Sequence, residues 1–135
     1  EDAKKKLAAA VASGDDWKKN QSGARVRRFC DLLKKWTEPP DPTPVRLEVQ
    51  ILRIGEVAIV AMPGEQFAEV GQAIKKASPF AFTMYAGYSS GEGGDYMPTD
   101  AEYAFGGYEV ERTPYGKGAT EKLIRETIAM FEDVK

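Results

Sequence analysis

The residues best suited to chemistry are carboxylates and phenols. Glu65 follows an apolar run directly, in Pro63-Gly64-Glu65, and the pattern places it on the first turn of a helix. A strand end that runs into a helix N-terminus is where α/β sheets place ligands. The helix dipole there favours an ionised carboxylate, the form a metal ligand must take. A glutamate at that place is also an ordinary, exposed dipole partner. Glu69, four residues on, would share its helical face and complete a carboxylate pair, although such pairs are commonly solvated. Tyr85, Tyr88, Tyr96, Tyr103 and Tyr108 crowd one short stretch. A tyrosine can donate to an oxyanion or bind a metal as phenolate; a cluster of them is equally a packing motif with satisfied hydroxyls. Gly91-Glu92-Gly93-Gly94 looks like a phosphate loop, but lacks the Lys-Ser/Thr that ends one and reads as a flexible loop.

Other chemistries are excluded by composition. The 135 residues include no histidine, and Cys30 is the only cysteine. A Ser-His or Cys-His nucleophile pair, a Cys/His zinc site and an internal disulfide therefore cannot be assembled from this chain alone. Charge is uneven: residues 1–36 hold ten Lys/Arg against five Asp/Glu, and residues 37–135 hold nine against sixteen. A basic segment beside an acidic body is usually a solvated face. Nucleic-acid domains carry a basic total with interleaved aromatics, which this sequence lacks, so no nucleic-acid partner is expected. No apolar run approaches the roughly 20 residues of a membrane helix, so no transmembrane segment is expected.

The elements that must position these residues can be read from periodicity. Ala3, Leu7, Ala10 and Val11 mark a helix over 3–13, stopped by Ser13-Gly14. Asp15 or Asp16 can cap a second, to Trp36, with Val26, Phe29, Cys30, Leu33 and Trp36 as its apolar stripe. This helical hairpin (1–38) is followed by a Pro-rich linker (39–44) with four prolines in six residues. Residues 45–135 read as an α/β segment. Val45 to Ile54 alternates like a half-buried strand. Val57 to Met62 is continuously apolar, like a strand covered on both faces. A helix from about Glu65 to Lys76 should bury Phe67, Val70 and Ile74, and Phe80 to Tyr88 should form a third strand. Thr99-Asp100-Ala101-Glu102 fits a capping box, and Tyr108-Glu109-Val110 an extended piece. The last helix, from about Thr120 to Val134, carries Leu123, Ile124, Thr127, Ile128 and Phe131. The fold class is α/β or α+β, with about three strands flanked by helices. Three strands offer too little cover for 57–62, so the sheet is expected to be part of a larger sheet domain.

One ordered set of residues resembles a known family. Leu52-Arg53-Ile54-Gly55, Ala58-Ile59-Val60-Ala61-Met62-Pro63-Gly64-Glu65, Gly71, Tyr96-Met97-Pro98-Thr99, Glu102-Tyr103 and Gly107-Tyr108-Glu109 are similar in order and spacing to the neutral/alkaline non-lysosomal ceramidases. The likeness is closest to the shorter bacterial members. It covers roughly residues 46–130, and the helical hairpin is similar too. The resemblance implies a zinc-dependent amidase acting on an N-acyl sphingoid base or related lipid amide. In that family two histidines from earlier in the chain, a glutamate and a tyrosine hold Zn²⁺, and a water on the metal attacks the amide carbonyl.

Carried over by motif, the metal ligands fall on Glu65 and Tyr96. Tyr108 falls on the tyrosine near the scissile carbonyl. The family's histidines have no counterpart here, so the resemblance implies the C-terminal segment of a longer hydrolase, inactive alone and partnered by the N-terminal part of the same protein. Gln66-Phe67-Ala68 stands where the family has a threonine-rich stretch. The resemblance leans toward an extracytoplasmic or secreted setting. The alternative is a non-catalytic binding or interaction module that retains the fold. With limited cover for 57–62, the isolated chain is expected to self-associate or to expose an apolar patch.

Overall fold

The computed structural model describes residues 1–37, 44–91 and 95–135, with the side chains of Lys35 and Trp36 also outside the described set. The described chain divides into two compact units, Glu1–Pro44 and Val45–Lys135. Most of the expected linker and Glu92 to Gly94 of the glycine-rich loop lie outside the described residues. No helix among the described residues is long and apolar enough to cross a membrane.

The first unit pairs helix α1 (Asp2–Ala12) with α2 (Asp16–Thr37). Gly14, at φ +69°, turns the chain between them. Asp15 caps α2: its carboxylate accepts the Lys18 amide at 3.1 Å and sits 3.3 Å from the Lys18 ammonium. These contacts lower the Asp15 pKa. The expected stripe on α2 is not what this unit buries. Leu32 is buried with Ala10 of α1, whereas Phe29, Cys30 and Leu33 are exposed. The short, alanine-rich α1 offers too narrow an apolar surface to cover a whole α2 stripe. Trp36, the last residue of that stripe, has its side chain outside the described set.

The second unit is a small α/β layer. Strands β1 (Gln50–Ile54), β2 (Val57–Ala61) and β4 (Phe82–Ala86) form a mixed sheet in the order β1-β2-β4. β1 runs antiparallel to β2, and β4 parallel to it. Gly55, at φ +59°, takes the first place of the two-residue hairpin loop, where a positive φ suits the right-handed strand twist. The ladder starts later than the alternation at Val45 suggests. Gln50 already pairs with Ala61, the last residue of β2, so residues 44–49 have no strand to pair with. Leu47, Val49 and Ile51 are nevertheless half-buried, as that alternation requires, whereas Val45 is exposed.

Helix α3 (Ala68–Ala77) and helix α5 (Ala119–Ala129), which runs on as a 3₁₀ turn (Met130–Val134), supply the cover for one sheet face. Ala58, Val60, Met62, Val70, Ile74 and Phe131 form this core. Among the described residues of this unit, no element covers the opposite face. The register aligns Leu52, Ile59 and Met84 in one row and Ile54, Val57 and Phe82 in another. Leu52, Ile54, Phe82 and Met84 are 55–67% exposed. Among the described residues of this unit, the apolar strand β2 is thus covered on one side only.

Candidate functional site

Three residues past β2, Gly64 at φ +86° swings the chain out of the sheet. Glu65 is therefore not on a helical turn. It lies in a two-residue strand, β3 (Glu65–Gln66), and α3 begins only at Ala68, after extended Phe67. The proposed Glu65/Glu69 helical pair does not form, because only Glu69 lies in the helix. What replaces the helix dipole is a strand partner. β3 runs parallel to β5 (Tyr96–Met97), with Glu65 opposite Tyr96 and Gln66 opposite Met97. Cross-strand partners share a face of their ladder, so Tyr96 stands beside the charge of Glu65. Two of the residues singled out from sequence are thereby brought together.

Both strands are anchored from below. The Tyr85 hydroxyl donates to Gln66 Oε1 at 2.7 Å, and Gln66 Nε2 donates to the Pro63 carbonyl and toward Met97 Sδ at 3.5 Å. Gly71 lets α3 lie against this tyrosine, since a Cβ there would stand 3.1 Å from the ring. On the other strand, buried Thr120 at the start of α5 donates its hydroxyl to the Pro98 carbonyl at 2.7 Å. Gln66 and Thr120 carry no sequence signal of this role, although Gln66 adjoins Glu65 and must point to the opposite face of any strand, whereas Tyr85 takes the packing role with a satisfied hydroxyl that the tyrosine cluster allows.

Tyr108 opens helix α4 (Tyr108–Arg112), where an extended piece was expected. Gly107, at φ +102°, redirects the chain, and the Glu111 amide then bonds the Gly107 carbonyl at 2.9 Å. The Tyr108 ring meets the Tyr96 ring edge-on, with centroids 5.7 Å apart and planes at 76°. The expected capping box is also absent: Glu102–Ala104 is a 3₁₀ turn without a side-chain cap. Asp100 instead accepts the Gly118 amide, tying the Tyr96 segment to the start of α5.

A third tyrosine completes the group. At Tyr88, interaction with the Glu65 carboxylate comes first and, with partial desolvation, pushes the hydroxyl pKa up to about 12. At Tyr96, partial desolvation comes first, with Glu65, Tyr108 and Glu109 acting in the same direction to raise the hydroxyl pKa. The other two tyrosines of the cluster are structural, with hydroxyls committed to Gln66 (Tyr85) and to the Tyr115 carbonyl at 2.8 Å (Tyr103).

Glu65 and Tyr96 fit half of a hard-cation site. They present oxygen donors side by side, and although the Glu65 charge favours the protonated phenol, a dication bound to both would favour the deprotonated ligand. Among the described residues no group of three or more Cys, Asp or Glu is arranged to hold a metal ion by itself. No protein-family model, curated protein or solved structure matches this chain.

Proposed function

We propose that this chain is the C-terminal segment of a ceramidase-like, zinc-dependent amide hydrolase acting on an N-acyl sphingoid or related lipid amide. The observation that carries the reading is the Glu65–Tyr96 register pair with Tyr108 against the Tyr96 ring. Glu65 and Tyr96 would hold the metal together with two histidines from the N-terminal part of the same protein. Bound zinc would supply Lewis-acid polarisation and a water of lowered pKa. Within the chain, Gln66 and Tyr85 hold the Glu65 strand, and Thr120 holds the Tyr96 strand. Tyr108, exposed beside Tyr96, donates its hydroxyl to the oxyanion that develops on the amide oxygen. The chain alone supplies two ligands and is inactive.

The bare sheet face favours a second reading, a non-catalytic interaction module that retains the fold. Zinc content and amide hydrolysis by the histidine-bearing full-length protein decide between them. The enzyme reading expects about one zinc per chain, lost in Glu65→Gln together with turnover. Full zinc and full rate in Glu65→Gln would remove Glu65 from the site and the reading with it.

A further inference from the structure

We infer that the uncovered face of the β1-β2-β4 sheet is a dimerisation surface, and that its occupant is the same face of a second copy of this chain. The inference does not depend on the reading of Glu65 and Tyr96. Side chains alternate between the two faces of a strand, so the register lays out this face in three rows. The central row is Leu52, Ile59 and Met84. The row toward the start of β2 and β4 holds Val57 and Phe82, with Ile54 at the edge. The row toward their ends holds Ala61 and Ala86, with Gln50 at the edge. Gln50 is the one polar residue, its amide donating to Glu48 Oε1 at 3.1 Å, and no charged residue lies on the face. A sheet face that meets water is normally polar. Here the four bulkiest side chains outside β2 are each more than half exposed.

The shape of the face selects its occupant. One end is small and the other bulky, so the face complements itself. A two-fold axis lying between two such faces, along the central row, runs the strands of the two sheets in opposite directions. Phe82 then stands over the partner's Ala86 and Val57 over the partner's Ala61, while the central row meets its own copy. Area sets the strength. At roughly 100 Å² for each exposed side chain, the patch is on the order of 500 Å². Two copies would bury about 1,000 Å², the lower limit for a specific interface. Such a pair is weak and reversible. Other occupants fit less well. A charge-free face has nothing to select an unlike protein by complementary potential. Residues 37–135 carry nine Lys/Arg against sixteen Asp/Glu, a balance that repels anionic lipid.

Sedimentation equilibrium of the 135-residue chain, from about 10 µM to about 1 mM, should show the mass doubling and stopping at two copies, as so small an interface allows. A monomer throughout, or growth beyond two copies, overturns the inference. So does a monomer that co-sediments with phosphatidylcholine vesicles, which would assign the face to lipid. A size swap tests the two-fold arrangement. Ala86→Phe sets a second ring against the partner's Phe82 and should weaken the pair about tenfold or more, as overpacking does. Adding Phe82→Ala to that variant restores small over bulky and should recover the pair. A merely sticky patch gives the reverse, stronger association in Ala86→Phe alone, and that result overturns the inference. Melting temperatures report whether the variants keep the fold. Should one of them fail to fold, the amide resonances of the parent decide. Those that move with concentration should belong to β1, β2 and β4, and movement centred elsewhere overturns the inference.

Discussion

Glu65 and Tyr96 are direct partners in a two-residue parallel ladder, although a helix and a full strand separate them along the chain. The ladder is too short to stand alone, so the pairing depends on its anchors. Gln66 is held by Tyr85 and Pro63, and Pro98 by Thr120. A carboxylate and a phenol fixed side by side in this way need little reorganisation to share a ligand.

Tyr96 and Tyr108 should separate on substitution. In the histidine-bearing protein, Tyr96→Phe removes a ligand and lowers both zinc content and turnover. Tyr108→Phe leaves zinc in place and costs on the order of 10²–10³ in rate, the loss of one oxyanion donor. Zinc per chain and the hydrolysis rate of a short-chain N-acyl sphingoid are measured for each. Parent rates in both variants would return the two rings to a packing role.

The isolated 135 residues should not retain zinc at micromolar concentration. A catalytic zinc site generally takes three protein ligands, and Glu65 with Tyr96 supplies two oxygens. Equilibrium dialysis followed by metal analysis checks this. Stoichiometric zinc on the purified chain would overturn the division of the site between two parts of a protein.

Stability should fall at alkaline pH. Burial raises the Tyr85 hydroxyl pKa above its ordinary value near 10, and Tyr88, Tyr103 and Tyr115 are raised as well. The folded chain thus keeps protons that the unfolded chain releases. The resulting stabilisation is complete below about pH 10 and is lost as pH rises toward the folded values. Tyr85→Phe should reduce this alkaline loss. At neutral pH it should cost about 1 kcal/mol, because Gln66 Oε1 loses its donor. Urea unfolding across a pH series measures both effects, and equal alkaline slopes for parent and variant would contradict the assignment to Tyr85.

The bare sheet face should be detectable in solution. Leu52, Ile54, Phe82 and Met84 surround Val57 and Ile59 on one surface, the kind of contiguous apolar patch that marks an interaction surface. The chain is expected to bind a hydrophobic dye or to associate with rising concentration. Leu52→Lys with Met84→Lys should suppress this, with a folding cost within about 0.5 kcal/mol per exposed site. A dye-silent, concentration-independent monomer would count against it.

The elements whose causes are local can be read along the chain. Five β-branched and small apolar residues make β2, the Asp15-Asp16 pair supplies the cap of α2, and helical spacing puts Val70 and Ile74 of α3 and Phe131 beyond α5 into one core. These follow from spacings of two, three and four residues, which are visible along the chain. Glu65 and Tyr96 also stand out, but the local pattern puts Glu65 on a helix that begins three residues later. Tertiary structure alone decided the rest. Gly64 and Gly107 redirect the backbone through positive φ, which turned an expected helical glutamate into a strand residue and an expected strand into α4. The register of β3 on β5 and the bond from Tyr85 to Gln66 join segments far apart in sequence. Such pairings depend on where the core places each segment, and no local periodicity encodes them.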